Sequence, residues 1–131
     1  TVMGLGDGGA HVGTICDASF ITTLITHWGR DRSRGQRIDL PTLIKCQTQD
    51  TARAVELYDR GTIQVGMKAD LNIIDFDNLH AGLPEIVNDL PAGGARLQQK
   101  ARGYETTIVS GEVTYVRGEA TDALPGRLIR K

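Results

Sequence analysis

The residues best suited to chemistry stand at the start of the chain: Asp7 inside a cluster of glycines, with His11 four positions on. A carboxylate can take a proton from water, and an imidazole changes charge near neutral pH. Val2, Met3 and Leu5 suit a buried strand over residues 1–6, and Gly4, Gly6, Gly8 and Gly9 permit the turn where strand becomes loop. A carboxylate at the C-terminal end of a buried strand is where α/β folds place their chemistry. The same residues also match G-x-G-x-x-G, the dinucleotide fingerprint. That fingerprint needs a helix opening on its last glycine and then a second parallel strand. Here the next helical pattern starts well downstream, at Phe20, and leads to more helix. A lone Asp among glycines also serves as a simple turn former.

The other metal-binding or nucleophilic residue types are scattered. His27 sits beside Trp28 in a helical pattern and reads as structural, whereas His80 reads as surface. Cys16, Asp17 and His11 fall in one loop, but their spacing matches no zinc-knuckle pattern, so Cys16 reads as a buried or half-buried thiol. Cys46 lies among helical apolar positions and is expected in the core.

The elements that must position these groups divide into two unlike halves. Residues 7–18 read as loop. Ser19 is the expected cap of a helix whose face carries Phe20, Ile21, Leu24, Ile25 and Trp28, closed by Gly29 and the charged run that follows. Asp39 caps a second helix, with Pro41 in its first turn and Leu40, Leu43 and Ile44 on one side. A third, starting at Asp50 or Thr51, carries Ala52, Val55 and Tyr58 and stops near Gly61. Residues 62–65 and 71–76 then read as strands around a turn. Residues 77–103 form a long excursion with a helical turn at 85–88. Residues 106–109 and 113–116 form a hairpin about Ser110-Gly111, and an irregular tail follows from Gly118.

At 131 residues the chain is long enough for one domain with a core. A net charge of −1 leaves no basic footprint for nucleic acid, and 5% aromatic residues offer few stacking surfaces. No apolar run has the length of a membrane span, and two cysteines make no disulfide framework, so a cytoplasmic setting is expected.

Four stretches resemble the amidohydrolase superfamily, and within it the N-acyl-D-amino-acid deacylases. Gly6-Asp7-Gly8-Gly9-Ala10-His11 looks like the end of the eighth strand of their barrel. The run from Gly61 to Asp75 is similar to their exit from the barrel, G-x-I-x-x-G-x-x-A-D-L-x-x-x-D, and is the most specific of the four. Thr107-Ile108-Val109-Ser110-Gly111-Glu112-Val113 resembles their V-x-V-N-G-x-x-V hairpin, with Ser110 in place of Asn. Pro125-Gly126-Arg127-Leu128 resembles their C-terminal R-P-G-R-x-L.

The resemblance implies α/β plus β architecture: residues 1–60 as the end of a TIM (β/α)8 barrel and residues 61–131 as strands of a small β-sandwich domain. It implies a metal-dependent hydrolase of amide C–N bonds, with zinc as cofactor and a small N-acyl amino acid as substrate. Asp7 would be both a metal ligand and the general base, and His11 a substrate contact. The chain contains no His-x-His pair, and a catalytic zinc takes about three protein ligands. The expectation is therefore a C-terminal portion, inactive by itself, that associates with a second copy or with the rest of the barrel. The other reading is a non-catalytic structural or interaction module left by truncation.

Overall fold

The computed structural model describes residues 2, 4, 6 and 17–129. The strand expected over 1–6 falls largely outside them, and Val2, Gly4 and Gly6 stand in no strand. Asp17–Ser19 forms one 3-10 turn, α1 spans Phe20–Thr23, and the helix continues as a π-helix over Leu24–Asp31. Ser19 makes no capping bond; its hydroxyl donates to Gln99 Oε1 instead. Gly29 lies inside the helix and does not end it. A Cβ there would sit 3.1 Å from Leu43 Cδ1, so the bare position admits the next helix. The wider π turn shifts residues from a 3.6 period. Thr22, Ile25 and Thr26 are consequently the buried positions, while Ile21 and Trp28 stay exposed.

The second helix, α2, runs Leu40–Gln47 and starts as expected. The Asp39 carboxylate accepts from the Thr42 N–H at 3.0 Å and from the Thr42 hydroxyl at 2.9 Å. Leu43 is fully buried. The third helix, α3, is Gln49–Ala54 and ends well before Gly61. It closes by paired bonds, Glu56 N–H to Arg53 C=O at 3.0 Å and Leu57 N–H to Ala52 C=O at 2.8 Å, with Glu56 at φ 62°. That is a Schellman closure on a residue other than glycine. It leaves Val55 and Tyr58 exposed.

Residues 62–65 form no strand, and Ile63 and Val65 project into solvent. The first strand, β1, is Leu71–Ile74. The expected excursion is more ordered than its sequence suggests. It holds β2 (His80–Ala81) paired with β5 (Ala101–Arg102), and β3 (Glu85–Leu90) paired with β4 (Gly94–Gln98). The helical turn expected at 85–88 is thus strand. Next come β6 (Tyr104–Val109), β7 (Glu112–Val116) and β8 (Glu119–Ala120). They join β1 in a four-stranded antiparallel sheet ordered β1-β6-β7-β8. The hairpin forms as expected, with Ser110 and Gly111 at φ 53° and 85°, the signs of a type I′ turn.

Among the described residues the buried apolar side chains are Ile25, Leu43, Ala52 and Leu79. They mark the seam between the helices and the segment after β1. Arg30 crosses that seam. Its guanidinium donates to the carbonyls of Phe76, Asp77 and Leu79, the last two at 2.9 Å, while its Nε binds Asp31 at 2.6 Å. Thr22 Oγ1 meets the Tyr104 hydroxyl at 2.8 Å nearby. Gly103, at φ 91°, runs so close beneath Leu79 that a Cβ would fall 2.6 Å from Leu79 Cα.

Candidate functional site

Asp7, His11 and Cys16 lie outside the described residues. The other two histidines stand on separate elements. His27 is exposed on the π-helix, edge-on to Trp28 with ring centroids 5.4 Å apart, and His80 is exposed in β2 opposite Arg102. Cys46 is a free thiol on α2, half-buried where core was expected. No three His, Cys, Asp or Glu side chains among the described residues are grouped so as to hold a metal ion. The described part of the chain therefore does not fit a zinc centre.

What the structure does bring together is the G-x-I-x-x-G-x-x-A-D-L-x-x-x-D pattern of residues 61–75. Gly61, at φ 89°, has its missing Cβ 2.9 Å from Thr48 C=O and Gln49 Cα, which lets the crossing segment pass under the junction of α2 and α3. Lys68 N–H donates to Asp59 C=O at 2.7 Å and closes the loop. Asp70 then buckles the crossing to the distant hairpin. Its Oδ1 accepts from Ser110 N–H at 2.8 Å, its Oδ2 from Lys68 Nζ at 2.7 Å, and Arg60 stands 3.7 Å away. Burial opposes the charge on Asp70, but the Lys68 ammonium, the Ser110 N–H and Arg60 outweigh it and hold its pKa below the ordinary value.

Beside this buckle, Gly111 N–H donates to Ala69 C=O at 2.9 Å. At the far end of β1, Asp75 folds onto Asn78, accepting from its side-chain amide at 2.7 Å and its N–H at 3.2 Å. The Asn78 side chain and then its N–H lower the Asp75 pKa. Both carboxylates are engaged in holding backbone turns, an arrangement that fixes geometry and activates no nucleophile. Arg30, read in the sequence as part of a solvated charged run, makes three hydrogen bonds across the seam. Nothing in its sequence context announced that role.

An open cavity of about 550 Å³ lies against the hairpin turn, lined by Ser110, Glu112, Leu124, Pro125, Gly126 and Arg127. It joins two of the stretches that carried the resemblance, the turn and the Pro-Gly-Arg-Leu segment. Its groups are an exposed carboxylate, a guanidinium and backbone, without a paired base and nucleophile.

In comparison with known proteins, the family model described as "Amidohydrolase family" matches residues 1–115. No curated protein and no solved structure matches the chain.

Proposed function

This chain belongs to the amidohydrolase family, and we propose on that premise that it is the C-terminal part of a metal-dependent hydrolase of amide C–N bonds, resembling N-acyl-D-amino-acid deacylases. Residues 1–60 are then the end of the barrel and residues 61–131 the β-sandwich portion. The observation that carries the reading is the family match, which runs through both halves and takes in Asp7, the barrel-exit pattern and the hairpin. The exit pattern supports it further, since each of its glycines and carboxylates at 61, 70 and 75 serves the passage from helices to sheet.

In this reading Asp7 is the general base. Its carboxylate accepts a proton from the attacking water as the oxygen bonds to the amide carbonyl carbon. It then returns that proton to the nitrogen as the C–N bond breaks, releasing a carboxylate and an amine. A small N-acyl amino acid suits the reaction, with His11 at the mouth as a substrate contact. Zinc would polarise the carbonyl and acidify water in such a site, and it would be held by Asp7 together with ligands that the described residues do not supply. In this reading turnover needs those further ligands, and the 131-residue chain is expected to be inactive by itself.

The alternative is a non-catalytic structural or interaction module. It is favoured by ligand completeness, since among the described residues no three His, Cys, Asp or Glu side chains are grouped so as to hold a metal ion. Elemental analysis of the dialysed chain, with an assay of amine release from N-acyl amino acids, separates the two. The expected result is less than one zinc per chain and no turnover. A stoichiometric metal with turnover would mean that the site assembles between copies. In that active form Asp7→Asn must cost several orders of magnitude in rate, and an unchanged rate would remove Asp7 as the base.

A further inference from the structure

Past β8 the chain turns back along β7 toward the hairpin. Thr121 ties it there, its N–H donating to Thr114 C=O at 2.9 Å and its hydroxyl to Val113 C=O at 2.8 Å. Ala123 N–H in turn donates to the Thr121 hydroxyl at 3.2 Å. Leu124, Pro125, Gly126 and Arg127 then line the cavity of about 550 Å³ together with Ser110 and Glu112. That volume falls in the range of small-molecule sites, about 300–1,000 Å³.

The cavity is lined by one anion, Glu112, and one cation, Arg127. Among the described residues neither makes a hydrogen bond or an ion pair, with the other or elsewhere. In other parts of the β half, Asp89 and Glu105 close directly on Arg96 and Arg117. Here the opposite charges line one hollow without meeting. The Ser110 hydroxyl is uncommitted as well, since the bond to Asp70 is made by the Ser110 N–H. Asp70 itself is already paired with Lys68 and does not compete for a cation.

We propose that this cavity binds a free α-amino acid as its zwitterion. The Arg127 guanidinium takes the carboxylate through two parallel N–H···O bonds, Glu112 accepts from the ammonium, and the Ser110 hydroxyl donates to a carboxylate oxygen. Leu124 and Pro125 offer contact to an aliphatic side chain. A lone anion is repelled by Glu112 and a lone cation by Arg127, so the site favours a molecule that carries both charges. The inference stands apart from the hydrolase reading. An N-acyl amino acid, the substrate in that reading, has lost its ammonium and does not satisfy Glu112.

Titration of the isotope-labelled chain with L-leucine, followed by amide chemical shifts, tests it. The expected result is saturable shifts confined to residues 110–112 and 124–127. Both charged groups are exposed, where ion pairs are weak, so the dissociation constant should be millimolar. N-acetyl-L-leucine and L-leucinamide, each lacking one of the two charges, should bind at least tenfold more weakly. Glu112→Gln and Arg127→Gln should each weaken leucine binding at least tenfold while the rest of the spectrum stays unchanged. Shifts that are absent, or that spread over the whole chain, overturn the proposal. N-acetyl-L-leucine binding as well as leucine would make this an anion site only, and L-leucinamide doing so a cation site only. Either outcome overturns it, as does a variant that binds leucine like the wild type.

Discussion

Ser110 stands with φ at 53°, a conformation that strains most side chains and suits Asn or Gly. Ser110→Asn should therefore raise stability, by about 0.5–1 kcal/mol on the scale of such backbone effects, measured as a shift in the urea midpoint at constant slope. Asp70, which holds the N–H of that residue, predicts the reverse. Asp70→Ala leaves Lys68 without its carboxylate and the Ser110 N–H without its acceptor, at a cost of about 1–3 kcal/mol. Because the folded Asp70 has a pKa below the ordinary value, its contribution is present above the unfolded carboxylate pKa. It fades as pH falls through the folded value. The difference in stability between wild type and Asp70→Ala, followed from neutral to acid pH, should narrow on that limb alone. The glycines and aspartates of the 61–75 pattern were legible as a motif. What each does was not, because a motif names residue types while the partners Thr48, Ser110 and Asn78 lie elsewhere in the chain.

At the scale of elements, strong local signals carried through and weak ones yielded to packing. Asp39 before Pro41 marked α2, and Ser110-Gly111 marked the hairpin, since each contains its own stop or turn chemistry. The end of α3 escaped because Glu56 takes the left-handed position where a sequence reader looks for Gly. The extension of the first helix escaped because Gly29 serves contact with Leu43 and not termination. The β3–β4 pair escaped because Pro91 and Gly93, which look like loop punctuation, turn one strand into the other. Packing at the seam predicts two losses. Leu79→Ala should cost about 2–5 kcal/mol, as a fully buried leucine does. Gly103→Ala should cost on the order of 3 kcal/mol, since it adds a left-handed penalty to a collision with the Leu79 backbone. Thermal or urea unfolding of each variant checks both.

For the whole molecule, the division into a helical and a β half was readable, because apolar periodicity changes after Gly61. The contacts that join the halves were not. Arg30 binds carbonyl oxygens, and a carbonyl carries no mark of residue type that a sequence could show. Asp7 and His11 lie outside the described residues, so the candidate site rests on the family and on chemistry. Arg30→Met keeps the aliphatic stem and removes the donors. It should lower the unfolding midpoint and speed hydrogen exchange in both α2 and the 76–79 turn, whereas a merely local role would alter the first helix alone.

The segment between Thr62 and Gly66 crosses from one half to the other with Ile63 and Val65 in solvent. The links that hold the halves together, Arg30 to the 76–79 carbonyls and Thr22 to Tyr104, do not pass through it. Covalent continuity and structural continuity are therefore separable here. Two peptides made separately, one ending and the other beginning within 62–66, should recombine on mixing into a single migrating species on a native gel. The gene could be split at this point and its product still come together.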